Sequence, residues 1–130
     1  MSNTYNIGTS NGQVSLSVDI TTVGLAASRA SVLIVSDDSP GVPVAHSVDA
    51  TGDIANQAIG KGTFLKGKRL TAFTLVNLTG TDPESRATEA VAIRGSYTLS
   101  GGDDGAKTFN SPLKSYQDPS VYVIFIIDLV

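Results

Sequence analysis

Apolar and polar positions alternate along much of this 130-residue chain, and a period of two marks a half-buried β-strand. In Gln13–Ile20, Val14, Leu16, Val18 and Ile20 are separated by Ser15, Ser17 and Asp19. In Arg69–Leu78, Leu70, Ala72, Thr74, Val76 and Leu78 share one face. Thr71, Phe73, Leu75 and Asn77 share the other. The most apolar run is Ser120–Val130. Its first face, Val121, Val123, Phe125, Ile127 and Leu129, is wholly apolar, and its second, Tyr122, Ile124, Ile126, Asp128 and Val130, nearly so. A strand with one wet face alternates cleanly, so this run is expected at the centre of a sheet, covered on both sides.

Weaker segments fill the intervals. Asn11-Gly12 is a two-residue hairpin signal, expected to join a strand at Tyr5–Thr9 to Gln13–Ile20. Thr21–Ala30 is ambiguous: Leu25–Ala30 could form one helical turn, with Gly24 and the short length weighing against it. Ser31–Ser36 holds the compact run Val32-Leu33-Ile34-Val35, and Asp37–Gly41 is a turn cluster. Val42–Val48 is a strand that Pro43 confines to an edge. Ile54–Ile59 is a poor strand candidate. Asp82-Pro83 suggests a helix start, with Glu84-Ser85-Arg86 as one exposed turn. Ala90–Leu99 and Lys107–Asn110 are strands around the turn Gly101–Gly105, and Ser111–Pro119 is a loop into the last strand.

About eight or nine short strands, spaced by turns and without a long amphipathic helix, predict an all-β fold. The expected architecture is an antiparallel β-sandwich of jelly-roll or immunoglobulin-like Greek-key type, with the C-terminal strand central. Residues 1–130 are expected to form a single domain.

Composition sharpens this picture in two ways. Charged residues are 16% of the chain, against a typical ~25%. The surface must therefore be rich in small polar groups, or in part be covered by a partner. Net charge is −3 and unevenly placed: Arg29 is the lone base of residues 1–60, among five Asp, whereas Lys61, Lys66, Lys68 and Arg69 cluster later. Overall acidity argues against nucleic-acid binding. The eleven-residue apolar run is too short for a membrane helix. Met1–Tyr5 has neither the basic region nor the apolar core of a signal peptide, so a cytoplasmic protein is expected, with leaderless export left open.

Motifs with chemical meaning are few. Gly62–Lys68 has the spacing of a phosphate-binding loop, but Arg69 stands where Ser or Thr should hold magnesium, and a strand pattern follows in place of a helix. Gly8-Thr9-Ser10-Asn11-Gly12 has nucleophile-elbow spacing, yet lies beside a hairpin signal, and His46 is the one histidine available as base. His46 itself reads as a core or edge side chain satisfied by backbone. With no Cys and one His, no zinc site is expected. The loop carboxylates Asp37, Asp38, Asp53, Asp82, Asp103 and Asp104 could serve calcium, but no spacing matches a calcium loop. Absence of Trp removes the best cue for sugar stacking.

The expectation is a non-enzymatic structural or protein-interaction module with no cofactor, partnered by other protein chains as a homo-oligomer. Its interaction residues are expected to be Tyr122, Ile124 and Ile126, with Lys66, Lys68 and Arg69 as a second, basic element. A strand apolar on both faces needs a second cover, either another protomer or a loop of the same chain such as 79–89 or 111–119. The alternative is a carbohydrate- or calcium-binding sandwich using the Asp37–Gly41 and Gly101–Gly105 loops, its small-molecule ligand unknown.

Overall fold

A computed structural model describes residues 3–34 and 41–130. They build an all-β sandwich of ten strands: β1 Asn3–Tyr5, β2 Gln13–Thr21, β3 Leu25–Leu33, β4 Val42–His46, β5 Ile54–Lys61, β6 Arg69–Asn77, β7 Arg94–Ser100, β8 Lys107–Phe109, β9 Leu113–Gln117 and β10 Ser120–Leu129. Two short helices, α1 Gly62–Leu65 and α2 Arg86–Ala92, lie in the connections. One sheet has six strands in the order β1-β10-β6-β3-β4, with β9 also on β10; the other has four, in the order β5-β2-β7-β8.

The alternating segments become the core. Val14, Leu16, Val18 and Ile20 of β2 face Leu70, Ala72, Val76, Val121, Val123, Phe125 and Ile127 of β6 and β10 within one hydrophobic cluster. Across the middle, Tyr97 of β7 stacks on Phe125 of β10, ring centroids 4.3 Å apart and planes within 4°. Phe109 tilts against the same ring at 5.6 Å. Such aromatic pairs add about 0.5–1.5 kcal/mol beyond the area they bury. Within this apolar layer the Ser28 and Thr74 hydroxyls bond each other at 2.6 Å. Each answers the other's desolvation.

β10 is interior to its sheet, as its composition predicts. β6 pairs along one edge from Ser120↔Asn77 to Asp128↔Arg69. The other edge is shared: β9 pairs as far as Ile124↔Leu113, and β1 takes over, in parallel, from Ile127↔Asn3. The chain end is anchored, because the Val130 carbonyl accepts the amides of Ile7 (2.7 Å) and Gly8 (3.1 Å).

Several expectations are corrected. Asn11-Gly12 does not close a hairpin: β1 ends at Tyr5 and belongs to the six-stranded sheet, while β2 lies in the other. Tyr5 fixes that crossing, donating to the Gly105 carbonyl (2.6 Å) and accepting from the Gly102 amide (2.9 Å). Gly8, with φ +62°, turns the chain where a Cβ would strike the Asp103 carboxylate. Leu25–Ala30 is strand rather than helix, because β3 pairs with β6 over its full length and tucks the small Ala26, Ser28 and Ala30 inward. Ile54–Ile59, rated poor, forms most of β5; its alternation is obscured by two register shifts and by Asn56 at φ +41°.

Asp82-Pro83 precedes a turn, and the helix starts at Arg86, so Ala90–Ala92 are helical and β7 begins only at Arg94. The Ser111–Pro119 loop contains β9. Val35 and the Asp37–Pro40 part of the turn cluster lie outside the described residues.

Candidate interaction surface

The two sheets present very different outer faces. On the four-stranded sheet, β2 turns outward Gln13, Ser15, Ser17, Asp19 and Thr21, and β7 turns outward Arg94, Ser96, Thr98 and Ser100. Ser17 lies opposite Thr98 and Asp19 opposite Ser96, a polar ladder suited to water.

The six-stranded sheet is the reverse. Its outer side carries Phe73 and Leu75 on β6, Tyr122, Ile124 and Ile126 on β10, Leu113 on β9 and Leu25 on β3. The register aligns one row across five strands: Leu113, Ile124, Phe73, Arg29, His46. Phe73 and Tyr122 are tilted at 5.8 Å, and the Arg29 guanidinium lies over the Phe73 ring at 5.9 Å.

The described residues leave this surface partly open. Tyr122 and Ile124 are half-buried, Ile126 is 37% exposed, Leu75 39% and Leu113 68%. The expectation that β10 is covered on both sides is therefore corrected: only the Val121–Leu129 face is buried. The second face keeps its apolar character because neither candidate loop crosses it. Residues 111–119 extend the sheet in its own plane as β9. The 79–89 segment is drawn to the end of β6, where Arg86 donates to the carbonyls of Leu78 (3.1 Å), Thr81 (3.1 Å) and Thr79 (3.3 Å).

The basic cluster does not assemble into one patch. Arg69 lies on the outer face of β6 and pairs with Asp128 at 2.7 Å, which holds its guanidinium above the ordinary arginine pKa. The pair is partly exposed, so solvent screens it and it adds little to stability. Lys66 donates to the Gly8 carbonyl at 2.8 Å. Lys68 donates to the Phe64 carbonyl, with its ammonium 3.8 Å from that ring's centroid. Of the six expected interaction residues, Tyr122, Ile124, Ile126 and Arg69 share the outer face, and the two lysines sit in the α1–β6 turn. Sequence reasoning missed Leu113, because its segment read as loop. It placed Phe73 and Leu75 on the second face of their strand without assigning them a role.

The remaining motifs resolve into structural parts. Gly62–Leu65 of the phosphate-loop spacing is one turn of helix, and a strand follows. Ser10 donates its hydroxyl to the Gly101 carbonyl at 2.6 Å. His46 is exposed on the edge strand opposite Arg29, not in the core. Asp103 accepts the Thr9 amide (3.0 Å), Asp104 the Asn6 amide (2.9 Å) and Asp53 the Ile20 amide (2.8 Å). Those carboxylates clamp loops to strands. Among the described residues no group of three or more His, Asp or Glu side chains comes together as a metal site, and no helix is long and apolar enough to cross a membrane.

No family model matches the chain, no curated protein matches it in sequence, and no solved structure matches it.

Proposed function

We propose that the protein is a non-enzymatic assembly module that associates with copies of itself through the outer face of the six-stranded sheet. The observation carrying this reading is the contrast between the two outer faces. One sequence supplies Ser and Thr to the four-stranded sheet and Phe, Tyr, Leu and Ile to the six-stranded one. Contiguous exposed apolar surface of this kind marks contact sites on proteins.

Its size suits a second copy. β3, β6 and β10 present nine or ten residues each, and β4 and β9 five each, at about 4.8 Å between strands and about 3.3 Å per residue. The resulting footprint of ~600 Å² is of the order of the ~800 Å² that each partner contributes to a standard interface. Its charge at the Ile126 end is neutralised within the chain by the Arg69–Asp128 pair. Two such faces can pack at about 10 Å, as the sheets of a sandwich do.

Light scattering on the wild type and on Leu75→Lys and Ile126→Glu tests this. Both substituted side chains are more than a third exposed, so the fold should tolerate them. The expected result is an oligomer at micromolar concentration that becomes monomeric in both variants with little change in melting temperature. A wild type that stays monomeric at about 100 μM, or variants that keep its mass, refutes the proposal.

A further inference from the structure

The sheet edges differ in how they are protected, and one is left open. Exposed edges invite pairing with other chains unless something blunts them. β4 carries Pro43 and a register shift between Ala30 and Ser31 of its neighbour's ladder. β5 is interrupted by two register shifts and by Asn56 at positive φ. β1 and β8 have only three residues each. β9 has five, all exposed, paired to β10 in unbroken register without proline or bulge.

A lysine is the usual guard of an edge, and β9 has one, Lys114. Its ammonium is turned back onto the body, donating to the carbonyls of Val91 (3.0 Å) and Ile93 (3.1 Å). The side chains left along the strand are uncharged: Leu113, Ser115, Tyr116 and Gln117.

We propose that β9 is a second self-association site, where the strand pairs antiparallel with β9 of another copy and joins two six-stranded sheets into one. The second copy is favoured over a foreign peptide by continuity with the face already described. Leu113 and Ser115 stand opposite Ile124 and Tyr122, so β9 is the margin of the apolar surface. The twofold axis of an antiparallel strand pair runs perpendicular to the sheet and leaves both outer faces on the same side. Edge pairing thus doubles the apolar face rather than hiding it, and a second such pair can close over it. The combination of the two contacts with crossing twofold axes is a closed tetramer of about 54 kDa, from chains of 13.4 kDa. Five-residue pairing alone buries too little for a stable dimer, so the edge contact forms together with the face contact and rests on that reading for its strength.

Amide hydrogen exchange on the full chain, followed from about 5 to 500 μM, tests the edge separately from the face. Residues of β9 whose N–H groups point away from β10 are expected to slow roughly tenfold or more as the protein concentrates. Tyr116→Pro, which removes an amide that points away from β10 and spares the Ser115–Tyr122 pair, should stop assembly at the dimer. In Leu75→Lys the face contact is lost, and the concentration-dependent protection of β9 should weaken with it. Outward β9 amides that exchange at one rate at every concentration overturn the edge proposal. If light scattering then still reports a dimer, the face proposal survives; if it reports a monomer, both fall. Protection already complete at the lowest concentration in a monomer also overturns the edge proposal.

Discussion

Tyr97→Phe removes one oxygen from the middle of the sandwich and tests how the core treats a polar atom. The Tyr97 side chain is fully buried, and its hydroxyl has no hydrogen-bond partner of good geometry. The polar group that faces it is the Thr74 hydroxyl, already bonded to Ser28. Burial pushes the phenol up from 10.0 to about 12, and the weak influence of Thr74 opposes this only in part. A buried hydroxyl without a partner costs about 1–3 kcal/mol. Phenylalanine keeps the ring that stacks on Phe125. Tyr97→Phe should therefore equal or exceed the wild type at pH 7, by up to about 2 kcal/mol in urea unfolding.

The pH dependence gives a second, independent reading of the same atom. The unfolded chain loses this proton near pH 10 and the folded chain near 12. Between these values the unfolded state holds fewer protons, so stability falls as pH rises. The contribution is complete below pH 10 and is lost by about pH 12, a loss of about 2–3 kcal/mol that Tyr97→Phe should not show. The rest of the chain is the same in both proteins and cancels in the difference. A variant more than about 1 kcal/mol less stable at neutral pH would mean that the hydroxyl has a partner worth keeping. An identical alkaline decline in both proteins would refute the burial argument.

Phe125→Ala removes the ring that Tyr97 and Phe109 both touch and should cost about 3–5 kcal/mol in chemical denaturation. Ser28→Ala leaves the Thr74 hydroxyl buried without its partner at 2.6 Å and should cost about 1–3 kcal/mol, a loss that the double variant Ser28→Ala, Thr74→Val recovers in part. A double-variant loss equal to the sum of the two single losses, Ser28→Ala and Thr74→Val, would show that the pair carries no coupling.

Much of the fold was legible because period-two alternation states both a strand and its buried face. It did so for Gln13–Ile20, Arg69–Leu78 and the inner side of Ser120–Leu129. Where the local pattern failed, a neighbour had set the conformation. Leu25–Ala30 has the small residues of a helix, yet lies extended because β6 offers a full-length ladder. Leu113–Gln117 has too little alternation to signal a strand, and β10 makes it one. The candidate site was half legible: the second face of the last strand was visibly apolar, and the role of Arg69 as the partner of Asp128 was not.

By itself, then, the order of residues determined the all-β class, the core-facing positions and an apolar second face on the terminal strand. Side-chain type and spacing act over neighbouring positions, and those properties need nothing more. Only the tertiary structure decided that β1 and β2 part into different sheets, that neither the 79–89 nor the 111–119 segment crosses Tyr122, Ile124 and Ile126, and that Lys114 turns its ammonium back to the Val91 and Ile93 carbonyls. Each of these depends on which distant segment arrives beside which. Pairing between strands far apart in sequence is set by the packing of the whole sandwich, and no local window contains it.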